Sequence, residues 1–185
     1  MAEYYLVSQL PSLDGISAGT PLPITSERFT ELCQRFLGKK AQGELEKLTL
    51  APPKNPEKSS SALIEKWNEG ERSLRLALAK LRADKLNKHF DAETQSLPAA
   101  LLQAARTAVE IESPMEAEEF LNRCRLDFLE TLRPMDSFSE EFVFYYGLKL
   151  MLIERIRKFD PASGEAAYRN IYDSIMNSDR SEVIQ

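Results

Sequence analysis

The chain has 185 residues, 43% hydrophobic and 29% charged, with 24 basic and 29 acidic side chains and a net charge of −5. This is globular usage, not disorder, at a size where folding buries roughly 70% of the unfolded surface, so a single domain closes a core without disulfides or a structural metal. The acidic balance disfavours a general polyanion binder, and no nucleic acid is expected among its partners.

The opening Met1-Ala2-Glu3-Tyr4-Tyr5-Leu6-Val7 has an acid at position 3 and no basic stretch, and Pro11 interrupts its apolar residues, so it does not read as a secretory leader. Neither end carries a lipidation motif. The longest apolar run, Phe142 to Ile153, has 12 residues with Lys149 inside it and is too short to span a bilayer. The expectation is a cytoplasmic protein, soluble or peripheral to a complex, and not membrane-spanning.

Residues 1–24 read as an irregular N-terminal segment. Tyr4 to Leu10 forms a short strand or a single helical turn, and Pro11, Gly15, Gly19, Pro21 and Pro23 punctuate the loop that follows. A helix is predicted from Ser26 to Leu37, where Phe29, Leu32, Cys33, Phe36 and Leu37 share one face. Thr25 or Ser26 caps it and Gly38 stops it. Residues 41–49 form a short weak helix, and the proline-rich stretch Ala51 to Pro56 is a loop.

One long helix is predicted over 60–88. Leu63, Trp67, Gly70, Leu74, Ala77 and Leu81 alternate spacings of four and three, a heptad seam for a partner helix. Gly70 on that seam indicates either close backbone approach or a kink. Leu97 to Glu110 is a shorter helix with Pro98 in its first turn. Ser113, Pro114 and Glu116 then form a capping box ahead of a helix burying Ala117, Phe120, Leu121, Cys124 and Phe128. Ser137 and Glu140 form a second box before a nearly all-apolar central helix over 138–159, which is either buried centrally or set at an interface. A last helix runs from Gly164 to Met176, and residues 178–185 form a polar, frayed tail. The fold class is all-α, a multi-helix bundle in a single domain. Charge divides unevenly: residues 1–95 carry 14 basic and 13 acidic side chains and residues 96–185 carry 10 and 16, so the acidic excess lies in the second half.

Little catalytic chemistry is visible. His89 is the only histidine, and Leu86 stands three before it, so neither a paired-histidine zinc site nor a Glu-x-x-His di-iron site is present. Gly38-Lys39-Lys40 lacks the rest of a phosphate loop and reads as a helix stop. Cys33 and Cys124 stand at helical apolar positions as small buried hydrophobes. Glu116, Glu118, Glu119, Glu140 and Glu141 cluster at helix starts, where the macrodipole favours them. No catalytic, cofactor-binding or metal-binding residue is assigned. The candidate partner-docking residues are Trp67, Arg72, Arg75, Arg82 and Lys149. The three arginines share one flank of the long helix, either an ion-paired solvated face or a strip for an acidic partner. Trp67 is core or platform. Lys149 snorkels out of its apolar run or pairs inside an interface.

Several blocks then bear on family. They are Tyr4-Tyr5-Leu6-Val7-Ser8-Gln9-Leu10-Pro11-Ser12-Leu13; Pro21-Leu22-Pro23-Ile24-Thr25; Trp67 with Glu71, Arg72, Leu74, Arg75, Ala77, Leu78, Leu81 and Arg82; Pro114, Glu116, Ala117 and Glu118 with Arg125, Asp127, Phe128 and Leu129; and Leu148-Lys149-Leu150 with Ile153-Glu154-Arg155. Together they resemble an uncharacterised bacterial family of Bacteroidetes and relatives whose genes accompany those of V-type ATP synthase subunits. That family in turn looks distantly like the C (d-type) subunit of V- and A-type ATPases, an all-helical socket between rotor stalk and membrane ring. This chain is about half the length of that subunit and shows no clear repeat. The resemblance implies a non-catalytic adaptor with V-type ATPase stalk and ring subunits as partners, serving proton or sodium transport, with no cofactor of its own. The alternative is a helical scaffold or regulatory protein, homodimeric through the long-helix seam. A third reading is an enzyme built on a carboxylate cluster or Cys33.

Overall fold

The structure, a computed structural model, describes residues 2–16, 20–55, 57–90, 98–158 and 164–173. All regular structure among them is helical: α1 (Ala2–Gln9), α2 (Ser26–Phe36), α3 (Lys39–Leu45), α4 (Ala62–Lys85), α5 (Ala99–Glu110), α6 (Pro114–Thr131), α7 (Glu140–Arg157) and α8 (164–173). The tail over 178–185 and the end of the predicted last helix lie outside the described residues.

Short polar residues begin α2, α4, α6 and α7. The Thr25 hydroxyl accepts from the Arg28 N–H, Ser61 from Ile64 and Ser113 from Glu116, each satisfying a first-turn donor. The long helix ends three residues before Lys88. Asn87 takes a positive φ of 51°, and the Lys88 and Asn87 N–H groups turn back to Ala83 and Asp84, closing a left-handed stop.

Four expectations need correcting. Tyr4 to Gln9 lies in a full helix, not in a strand or an irregular segment, and Pro11 follows its end without shortening it. Gly38 sits at an extended φ of −66° and serves as the joint between α2 and α3, while Leu37 closes α2. The cap of α7 is Ser139, not Ser137: the Asp136 carboxylate accepts from the Phe138 N–H, this turn occupies 136–138, and the helix starts later. The buried stripe of α6 is Leu121, Asn122, Arg125 and Leu129; Ala117, Phe120, Cys124 and Phe128 are not fully buried. Arg125 turns that stripe inward because it meets Glu71 on α4.

The core falls into two parts joined along α4. The larger packs Leu6, Phe29, Leu32, Cys33, Leu63, Ile64 and Trp67 around Val143 to Ile153 of α7. The smaller packs Leu74, Ala77 and Leu78 against Ala105, Ala108 and Leu121. Trp67 stands at the junction, its ring stacked on Phe128 at 6.1 Å. The α4 seam is therefore filled largely from within one chain. Gly70 is buried, and a side chain there would overlap the Phe128 ring, so close approach is the reason for this glycine.

α7 is the central helix but not apolar to its ends. Several of its charged residues reach other elements. Glu141 accepts from the Ser61 hydroxyl at 2.8 Å and the Leu63 N–H at 3.2 Å, capping α4 from outside. Glu154 accepts from the Ser26 N–H at 3.0 Å and hydroxyl at 2.7 Å, capping α2. Arg155 pairs with Glu118 and Arg157 donates to the Thr20 carbonyl. Gly147 lets Leu48 and Phe29 close on the helix, with Leu48 Cδ1 only 2.9 Å from where a Cβ would stand.

Candidate functional site

Two clusters of polar side chains and one apolar groove stand out. The first cluster lies where the two parts of the core meet. Arg125 Nε is 3.0 Å from Glu71 Oε2, and the two side chains are 5% and 1% exposed. Arg75 Nε joins Glu71 at 3.0 Å; Arg125 Nη1 donates to Asn122 Oδ1 at 2.9 Å and Glu118 Oε1 at 3.1 Å. Arg155 completes the chain on Glu118. Every charge here faces an opposite one, which a buried charge requires. The arrangement ties α4, α6 and α7 together.

The second cluster surrounds Lys149. Its ammonium lies 2.6 Å from Asp14 Oδ1 and 2.7 Å from Glu130 Oε1, and the Tyr145 hydroxyl donates to the same Glu130 oxygen at 2.7 Å. Burial works against the charge on Lys149, but the Asp14 and Glu130 carboxylates outweigh it and hold its pKa above the ordinary value. Lys149 is thus ionised and is not a nucleophilic amine. The Lys149 hydrogen bond and charge pull Asp14 below its usual range. Burial alone would raise Glu130, yet the Lys149 and Tyr145 hydrogen bonds lower it. Burial and the bond to Glu130 push the Tyr145 phenol up to about 12.

The Lys149, Asp14 and Tyr145 side chains line a cavity of about 210 Å³ with Val7, Leu10, Arg133, Phe142 and Tyr146. The Tyr146 hydroxyl donates to the Pro11 carbonyl at 2.8 Å, so α7 pins the stretch just after α1 at two points. Tyr4 of α1 stacks on Phe138 at 4.8 Å and meets Tyr5 edge-on at 6.1 Å. Tyr4, Tyr5 and Phe138 are 55%, 60% and 48% exposed, and Met135, three residues before Phe138, is fully exposed. The result is an exposed aromatic ledge next to the stretch that α7 pins.

An open groove of about 660 Å³ runs between α4, α5 and α6, with Gly70, Leu101, Ala104, Phe128 and Leu132 in its walls and Lys66, Glu69 and Asp127 also lining it. Cys124 is part of the same lining. Burial, with the Asp127 charge beside it, raises that thiol above its ordinary pKa, and burial pushes Cys33 up to about 12. Both remain protonated thiols at neutral pH. Among the described residues no group of three His, Cys, Asp or Glu side chains is placed to hold a metal ion.

The structure scatters the residues predicted to dock a partner. Trp67 is 1% exposed, its indole N–H donating to the Thr49 carbonyl at 2.9 Å, so it is core and offers no platform. Arg75 is committed to Glu71 and to the Leu50 carbonyl. Arg72 Nε donates to the Asn68 carbonyl one turn back, and Arg82 is in the last turn of α4. Lys149 is buried in α7 and pairs within its own chain. Sequence reading missed Asp14 and Arg125 as members of these clusters, because Lys149 and Glu71 lie 135 and 54 residues from them. It also missed Glu130, which meets Lys149 from a different helix, and the ledge, whose aromatics have no periodic signal. No family model, curated protein or solved structure matches the chain.

Proposed function

We propose that this chain is a non-catalytic helical subunit of a V-type ATP synthase, an adaptor between the central rotor stalk and the membrane rotor ring. The observation that carries the reading is the aromatic ledge of Tyr4, Tyr5 and Phe138. Exposed, stacked aromatics on a pinned support are the side chains that anchor protein interfaces, because they give large contact area for little ordering entropy. The resemblance supplies the partner. Two ties described above join its blocks, Glu71 to Arg125 and Glu118 to Arg155. Side-chain ties of this kind between helices suit a structural subunit. No helix among the described residues is long and apolar enough to cross a membrane, so in this reading attachment to the ring runs through protein contacts on the cytoplasmic side.

The test is capture of the tagged full chain from native membranes in mild detergent, read by mass spectrometry. Stalk and ring subunits are expected in matched amounts, and a Tyr5→Ala/Phe138→Ala variant with an unchanged circular dichroism melt is expected to retain roughly tenfold less of them or lower still. Recovery of the bait without those subunits overturns the assignment.

A further inference from the structure

Helix α8 raises a separate question. Every residue from 164 to 173 is exposed, and Tyr168, Ile171 and Tyr172 are 67%, 60% and 52% exposed along one stripe. Tyr168 and Tyr172 stack at 6.3 Å, and Arg169 pairs with Glu165 on the flank. An isolated helix of about ten residues is marginal in water, since nucleation is unfavourable and few hydrogen bonds follow. Its stability comes from burying such a stripe.

The chain also carries an acceptor. The groove between α4, α5 and α6 is apolar along its walls, with small residues at Ala100 and Ala104 that leave room for rings. Its lining offers Lys66 to the carboxylates of Glu165 or Asp173, and Glu69 and Asp127 to Arg169. Tyr168, Ile171 and Tyr172 are spaced i, i+3 and i+4, the pattern by which a helix lies in a groove. We propose that α8 of one copy docks in the α4–α5–α6 groove of a second copy, and that the exchange is reciprocal about a two-fold axis.

Area decides between modes of self-association. The stripe offers roughly 400 Å² of exposed surface, so pairing stripe against stripe covers about 800 Å² in total, below the ~1,200 Å² of a stable interface. Two reciprocal insertions add both grooves and reach about that bound. The α8 helix does not occupy its own groove, which leaves the groove to the other copy. The proposal does not rest on the ATP synthase reading, and failure of either leaves the other standing.

The experiment uses the full chain with Ala167→Cys, which places a thiol at the edge of the stripe while leaving the stripe intact. Under copper-phenanthroline oxidation, a dimer linked from this introduced thiol to Cys124 of the second copy is expected, absent in the Ala167→Cys/Cys124→Ser chain; Cys33 is fully buried and stays silent. Light scattering at high micromolar concentration is expected to show a twofold mass for the unaltered chain and monomer for Tyr168→Ala/Tyr172→Ala, whose substitutions touch exposed positions only. A link formed within one chain, a dimer unaffected by the tyrosine variant, or a monomer at all concentrations overturns the proposal.

Discussion

Glu71 sits between two guanidinium groups with 1% of its side chain exposed. The physical cost of such a pair is desolvation, and what makes it tolerable is that Arg125 is itself held by Asn122 and Glu118. Removing one member therefore does more harm than removing both. Glu71→Gln is expected to destabilise the fold by about 3 kcal/mol, read as a lower urea midpoint, because Arg125 is left buried without its ion partner. Glu71→Leu with Arg125→Met is expected to fall short of the sum of the two single changes. Strict additivity would show that the pair does not couple α4 to α6. Polar residues of this kind are where sequence reading is weakest. Apolar spacing places Ala117, Phe120 and Cys124 at the centre of α6, while the true centre is an arginine whose partner is 54 residues away. Periodicity cannot register a charge that is buried because another charge meets it.

The helices themselves are far more legible in the sequence. Thr25 and Ser113 are readable as caps because a short hydroxyl ahead of an apolar stripe has a local mechanism. The end of α4 is harder to place because Asn87 in the left-handed region stops a helix as glycine does, without glycine's clear signal. The choice left open at Gly70 is settled by Phe128. A methyl group added in a helix interior ordinarily gains about 1 kcal/mol from propensity. Here it overlaps a ring wedged between α4 and α6, and overpacking typically costs about 1–3 kcal/mol. Gly70→Ala is accordingly expected to lower the melting temperature, and adding Phe128→Leu to recover part of the loss. A raised melting temperature for Gly70→Ala alone would mean that the two helices do not approach this closely.

On the scale of the whole molecule, carboxylates at the joints between elements set the response to acid. Glu44 accepts from the Ser59 hydroxyl, Lys47 and the Ser60 N–H, and these hold its pKa at about 2 against an ordinary 4.5. Asp14 and Glu130 are lowered as well. A carboxylate whose folded value is depressed stabilises the fold above its unfolded value and loses that contribution as pH falls through the folded value. Stability is expected to fall steadily between about pH 5 and 2, and Glu44→Gln to flatten the acid limb, as measured by thermal melts across that range. An unchanged slope would remove Glu44 from the account. The placement of α7 has a consequence for synthesis. The helix that caps α2 and α4 and pins the end of α1 is the last element of the core to leave the ribosome. Pro11 and Asp14 must wait for Tyr146 and Lys149, 135 residues later. The smaller part of the core, built from α4, α5 and α6, closes without α7, but the faces of α1, α2 and α4 that meet α7 stay open until it arrives, and loop closure over that distance makes folding slower than in a bundle of sequential hairpins. Growing chains of this protein thus present the larger part of the core to chaperones until α7 is made, and that part closes last.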